Sequence, residues 1–200
     1  MNGHFGDLHW WPAETPFEMA VGAILTQNTA WTNASRAVEK LRGAGLLDPS
    51  SLYQAERRHI AEAVQPAGFY NIKTDRLTAF VDFLHERYGG TMEAMFDEET
   101  GRLRELLLSV RGIGKETADS ILLYGDNRPV FVVDAYTKRI LERHGVVDQG
   151  RAYDEVQRLF ADNLPCEAAL FNQYHALLVN TGKMFCRRSP RCGGCPLRDV

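Results

Sequence analysis

The sequence predicts an all-α protein, and three observations lead there. Apolar residues recur three and four positions apart along nearly all of the 200 residues, the spacing of one helix face rather than of a strand. Clusters of Gly, Pro, Asn and Asp interrupt that pattern at residues 43–49, 66–68, 89–90, 125–129 and 148–150. Only residues 130–133, Val-Phe-Val-Val, have strand character, and no second run could pair with them, so a short buried connector is expected there.

The elements follow in order. Thr15-Pro16-Phe17-Glu18 combines a capping box with Pro at the first helical position, and Phe17, Val21, Ile24 and Leu25 line one face of the helix it starts. The same spacing returns at Val38 and Leu41, at Ile60, Ala63 and Val64, and at Leu77, Phe80, Val81 and Leu84. It continues at Leu103, Leu106, Leu107 and Val110, at Tyr153, Val156, Leu159 and Phe160, and at Leu170, Tyr174, Leu177 and Leu178. No unit of roughly 20–50 residues repeats, which excludes a solenoid.

An apolar share of 44% suffices for one packed domain or two small lobes. No apolar run approaches the roughly 18 residues that cross a bilayer. The N-terminus lacks the charged-then-apolar order of a secretory signal, so a soluble cytoplasmic protein is expected. A formal net charge of −3 argues against broad adhesion to nucleic acid but leaves room for a local basic face. Lys183, Arg187, Arg188, Arg191 and Arg198 gather in the tail, either as a solvated surface or as such a face.

Residues 107–134 carry the most chemistry. Leu107 to Val110 ends one helix, Gly112-Ile113-Gly114 forms a turn, and Lys115-Glu116-Thr117-Ala118 starts another helix. Glycines there permit positive φ and close approach of another backbone, and a helix N-terminus with a lysine attracts an anion such as a DNA phosphate. A tight corner between helices would use the same glycines. Asp134 ends the apolar run 130–133 just before another helix. It reads as an N-cap, as a cleft carboxylate that activates water or stabilises a cationic sugar, or as both.

Together these residues resemble the helix-hairpin-helix DNA glycosylases of the endonuclease III superfamily, over nearly the whole chain. The hairpin 108–118 matches the family's hairpin, and Val132-Val133-Asp134 matches the segment ending in its catalytic Asp. Leu25-Thr-Gln-Asn-Thr29 resembles the segment whose Gln enters the duplex, and Gly68-Phe-Tyr-Asn-Ile-Lys73 resembles a further segment. The resemblance implies two helical lobes: residues 15–128, about six helices ending in the hairpin, and residues 1–14 with 129–200. It further implies damaged double-stranded DNA bent across the cleft, with the target nucleotide flipped towards Asp134. Gly112, Ile113, Gly114, Lys115 and Thr117 would hold phosphate and Gln27 would fill the gap in the stack.

Bifunctional members place a Lys where this chain has Glu116, and a carboxylate cannot form the imine that leads to strand cleavage. A monofunctional glycosylase is therefore expected, with Asp134 and Glu116 the catalytic-site carboxylates. Glu116, Trp10-Trp11-Pro12 and residues 25–31 most resemble the 3-methyladenine DNA glycosylase branch. In that branch Trp11, Pro12 and Trp31 would grip a cationic purine, though tryptophans also serve as ordinary packing. Cys186, Cys192 and Cys195 resemble the first three ligands of the family's [4Fe–4S] loop, a spacing that a zinc knuckle would share. Arg187, Arg188 and Arg191 between them would face DNA phosphates.

The pattern asks for a fourth Cys about six residues after Cys195. Cys166, in a Leu-Pro-Cys-Glu turn, does not fit that place. A chain cut short and a degenerate loop both explain the gap. A monomer without obligate protein or membrane partners is expected, at the nucleoid in a prokaryote. Two rival readings stand: an endonuclease III-like enzyme for oxidised pyrimidines or mismatches, and a non-catalytic DNA-binding module, which would have no need of Asp134.

Overall fold

A computed structural model describes residues 1–8 and 10–199. Its described residues are helical or irregular, with no strand among them. The chain divides into two compact units, Pro12–Asp126 and a second built from Met1–Trp11 with Asn127–Val200. No described helix is long and apolar enough to cross a membrane.

The first unit is arranged around α2, Pro16–Leu25. Thr15 accepts from the Glu18 N–H at 3.1 Å. The Glu18 carboxylate accepts from the N–H of Glu14 at 3.3 Å rather than from Thr15, and pairs with Arg42 at 2.7 Å. Half of the expected capping box is thus present, the other arm being shifted by one residue. All residues from Phe17 to Leu25 are buried, the signature of a helix enclosed on every side. Around it lie α3 (Trp31–Gly43), α4 (Pro49–Gln54), α5 (Arg57–Val64), α6 (Tyr70–Tyr88), α7 (Met92–Phe96), α8 (Thr100–Ser109) and α9 (Lys115–Ser120). The helix α9 continues as a π-helical turn, Ile121–Gly125. About six helices were expected here; the short α4 and α7 are additional, each opened by a polar cap (Asp48 and Thr91) rather than by an apolar stripe. Leu77, Phe80, Leu103, Leu107 and Leu122 complete the core, with Phe17 stacked on Phe80.

The two hairpin helices are joined by a buried ion pair. Arg104 on α8 meets Asp119 on α9 through both carboxylate oxygens, at 2.6 and 3.0 Å, and Asp119 is wholly buried. A bidentate guanidinium–carboxylate contact has one orientation, so it fixes how α8 and α9 splay.

The second unit contains α1 (Asn2–Phe5), α10 (Ala135–Arg143), α11 (Tyr153–Asn163) and α12 (Ala168–Met184). Residues 130–134 enter it as an extended connector. Side chains of α11 meet its backbone: Gln157 donates to the Phe131 carbonyl at 2.7 Å and the Tyr153 hydroxyl accepts from the Val133 N–H at 3.3 Å. Those bonds satisfy groups that a partner strand would otherwise serve. Phe131 stacks on Phe160 at 3.7 Å and meets Phe171 edge-on. Helices α10 and α12 cross closely at Gly182, where a Cβ would lie 2.7 Å from that of Tyr136. Gln173 on α12 binds the N-terminal segment through Leu8 N–H, Gly6 O and Asn2 Oδ1.

Candidate active site

In the first unit the hairpin glycines have different tasks. Gly112 has φ near +90°, and a Cβ there would fall 2.8 Å from Cδ of Arg76. Gly114 has φ −96°, open to any residue, and the space beside it is clear for 4 Å. The glycines permit positive φ at either position; only Gly112 uses it, while Gly114 leaves the outer face of the turn bare. Ile113 is buried and anchors the hairpin, whereas Lys115 and Glu116 are exposed on the first turn of α9. No side chain caps that helix.

Gln27 is half-buried and braced on this hairpin. Its amide donates to the Gly112 carbonyl at 3.0 Å and to Thr117 Oγ1 at 2.8 Å, and its oxygen accepts from Arg76. Nearby turns carry left-handed residues outside glycine: Asn28 at φ +55° and Phe69 at φ +46°. Phe69 is 67% exposed, an aromatic ring held out in water on a strained turn.

In the second unit Asp134 caps α10. Its Oδ1 accepts from the Thr137 N–H at 2.7 Å, and the residue is only 8% exposed. His175 of α12 brings Nε2 to 3.9 Å from the same oxygen. Lys183, two turns further along α12, lies half-buried with its ammonium 5.0 Å above the Trp10 ring. Burial lowers the Lys183 amine below its ordinary range, opposed by the Asp134 carboxylate. The expected N-cap at Asp134 is present, one oxygen being tied to backbone, with a histidine and a lysine of α12 close to the carboxylate.

Burial also lowers the His175 imidazole, against the pull of Asp134 and with a further push from Lys183. The unfolded chain therefore takes up the proton more readily than the folded one. This contribution to stability is full above the unfolded value near 6.5 and lost as pH falls below it. His175→Gln is expected to flatten the fall in melting temperature as pH drops below about 6.5, measured by calorimetry against the parent. A parallel fall in both proteins would place the titration elsewhere.

The residues expected to grip the base are divided between the units. Trp11 lies in the second, half-buried and edge-on to Trp10. Pro12, exposed, and Trp31, half-buried at the start of α3, lie in the first. Four further residues carry no role in the sequence alone: Trp10, under the Lys183 ammonium, His175 and Lys183, both near Asp134, and Phe69, exposed on its turn. His175 and Lys183 were detectable as polar residues eight apart in a helix, which places them on neighbouring parts of one face.

The cysteine loop is tied to α10 by arginines. Arg139 donates to the Cys186 carbonyl at 2.7 Å, and Arg143 donates to Cys186 Sγ at 3.3 Å and to the carbonyls of Arg187 and Arg188. Cys186 is buried, Cys195 half-buried, and Cys192 and Cys166 exposed. Among the described residues no three His, Cys, Asp or Glu side chains gather as a metal site. As folded, the three loop thiols do not gather around a common point, the arrangement a cluster would require. Arg187, Arg188 and Arg191 are exposed.

Residues 21–166 match the HhH-GPD superfamily of base excision DNA repair proteins. A Methanocaldococcus jannaschii protein that carries the name of a DNA repair glycosylase is 47% identical over 197 residues, covering 98% of this chain and 90% of that one. Endonuclease III of Thermotoga maritima is 27% identical, covering 92% and 81%. The structure of H. pylori 3-methyladenine DNA glycosylase bound to 1,N6-ethenoadenine superposes with TM-score 0.76 at 31% identity, covering 87% of each chain. An endonuclease III–DNA complex shares the fold with TM-score 0.83 at 19% identity, covering 98% of this chain and 87% of that one. The chain belongs to the HhH-GPD superfamily and is a DNA glycosylase of base excision repair.

Proposed function

We propose that this glycosylase removes an alkylated purine, 3-methyladenine in kind, from double-stranded DNA by hydrolysis and leaves the strand uncut. The observation that carries this reading is Glu116, exposed in the first turn of α9 where bifunctional relatives place a lysine. A carboxylate forms no imine with the sugar. Similarity to the H. pylori 3-methyladenine enzyme supports the substrate class.

The chemistry asks little of the protein. N3 alkylation makes the base cationic, so cleavage of the C1′–N bond releases it neutral and needs no acid. Asp134 stabilises the positive charge that develops on the sugar and takes the proton of the water that attacks C1′. A neutral His175 beside it adds no competing charge. Trp11, Pro12 and Trp31 are the residues assigned to grip the flipped base, aromatic faces attracting a cationic purine.

The hairpin residues Gly112, Ile113, Gly114, Lys115 and Thr117 are assigned to DNA phosphates, and Arg187, Arg188 and Arg191 to phosphates beyond it. Gln27 and Phe69 are assigned to the gap left by the flipped nucleotide, with Gln27 exchanging its hairpin bonds for bases. The protein acts as a monomer in this reading. The resemblance also implies a [4Fe–4S] cluster on Cys186, Cys192 and Cys195. Such a cluster would need the loop to gather and a fourth thiolate.

Duplexes carrying 3-methyladenine, 1,N6-ethenoadenine, thymine glycol or a T·G mismatch test the substrate class. Release of the alkylated purines in preference to the other two is expected. Release from thymine glycol or the mismatch alone would transfer the enzyme to the rival class.

A further inference from the structure

Lys73 is the largest fully buried polar side chain of the described residues, 1% exposed in the first turn of α6. Three costs attend that position. The ammonium is stripped of water, it stands near the positive end of a helix dipole, and Arg76 lies one turn away. Burial and Arg76 together bring its pKa down to about 8. Such a charge is retained only where its hydrogen bonds are needed.

Those bonds have a symmetric arrangement. Nζ donates to the Leu25 carbonyl at 2.8 Å and to the Ala67 carbonyl at 2.7 Å. Leu25 ends α2 two residues before Gln27, and Ala67 ends a 3-10 turn two residues before Phe69. Each turn then passes through a left-handed non-glycine residue, Asn28 in one and Phe69 in the other. Strained backbone of this kind persists only when its surroundings dictate it. One ammonium holds the root of both turns, so neither can shift without breaking a buried charge-assisted bond.

We infer that Lys73 is a positioning residue that couples the Gln27 turn to the Phe69 turn, so that the two enter the base stack as one preset unit. The inference rests on the stack-filling role proposed above for Gln27 and Phe69. Lys73 touches neither DNA nor the damaged base in this account; it fixes the spacing of the residues that do.

The test uses a duplex in which 2-aminopurine faces a tetrahydrofuran abasic site, so that it depends on no particular damaged base. Binding of the parent protein is expected to raise the fluorescence as the stack is opened, and Gln27→Ala and Phe69→Ala are expected to reduce that rise. Lys73→Met keeps the stem and removes the donors. It is expected to lose more than about half of the rise while affinity by anisotropy stays within about threefold. Lys73→Arg, which restores a cation and donors, is expected to recover part of the loss. A normal rise with Lys73→Met would overturn the coupling. No rise with the parent at saturation would instead sink the stack-filling reading itself, and a normal rise in Phe69→Ala would remove one of the coupled turns. If Lys73→Met does not fold, Lys73→Gln, whose amide reaches one carbonyl, is measured in the same way with the same criterion.

Discussion

Asp134→Asn is expected to lower single-turnover base release by about 10²–10⁴-fold, the range over which a positioned carboxylate acts. The substitution isolates charge and basicity from architecture. Asn is as good an N-cap as Asp, so the bond to Thr137 N–H and the start of α10 survive. What disappears, in the proposed mechanism, is the acceptor for the water proton and the negative charge offered to the sugar. Affinity for DNA and melting temperature should therefore stay near those of the parent. Asp134→Ala removes the cap as well and is expected to cost about 1 kcal/mol of stability in addition. Unchanged base release in Asp134→Asn would reduce Asp134 to a cap and refute its catalytic assignment.

Arg104→Met should destabilise the first unit by about 3–5 kcal/mol, measured by urea denaturation. The guanidinium is mostly covered and Asp119 is fully enclosed, so removing Arg104 takes a bidentate cationic partner from a buried carboxylate. The damage should be local before it is global, because this pair sets the angle between α8 and α9. DNA binding is expected to fall under conditions where the variant is still folded. Replacing both members, Arg104→Met with Asp119→Leu, should recover much of the stability, since the buried carboxylate that lost its bidentate partner is gone too. An equally unstable double variant would show that packing rather than charge makes this position sensitive.

The parts of the site that sequence conveyed are those whose physics is local. The cap at Asp134 depends on the next three residues, and the turn at Gly112 depends on its own φ, so both can be read along the chain. The helices announce themselves through stripes such as Leu103, Leu106 and Leu107, and the connector 130–133 through its lack of a partner run. Residues recruited by tertiary contact were hidden. Lys73 reads as a solvent-facing charge in any hydropathy pattern, and only folding brings Leu25 and Ala67 within reach of its ammonium. His175 and Lys183 look like polar interruptions of α12 until α10, crossing at Gly182, brings Asp134 beside them. Gly114 hides its role for the opposite reason: a glycine permits positive φ, but here the missing Cβ leaves an open face in an ordinary extended conformation. The cysteine spacing suggests ligands along the chain, but the arginine of α10 that ties the loop lies more than forty residues earlier and carries no such local signal.

The most direct test of the central claim scores base release and strand cleavage separately on one duplex carrying 3-methyladenine, with and without borohydride. Free base, an intact strand that breaks only on later alkali treatment, and no covalent protein–DNA adduct are expected. A borohydride-trapped adduct accompanied by strand cleavage would contradict the claim. The half-buried Lys183 amine would then be the first group to examine as the nucleophile.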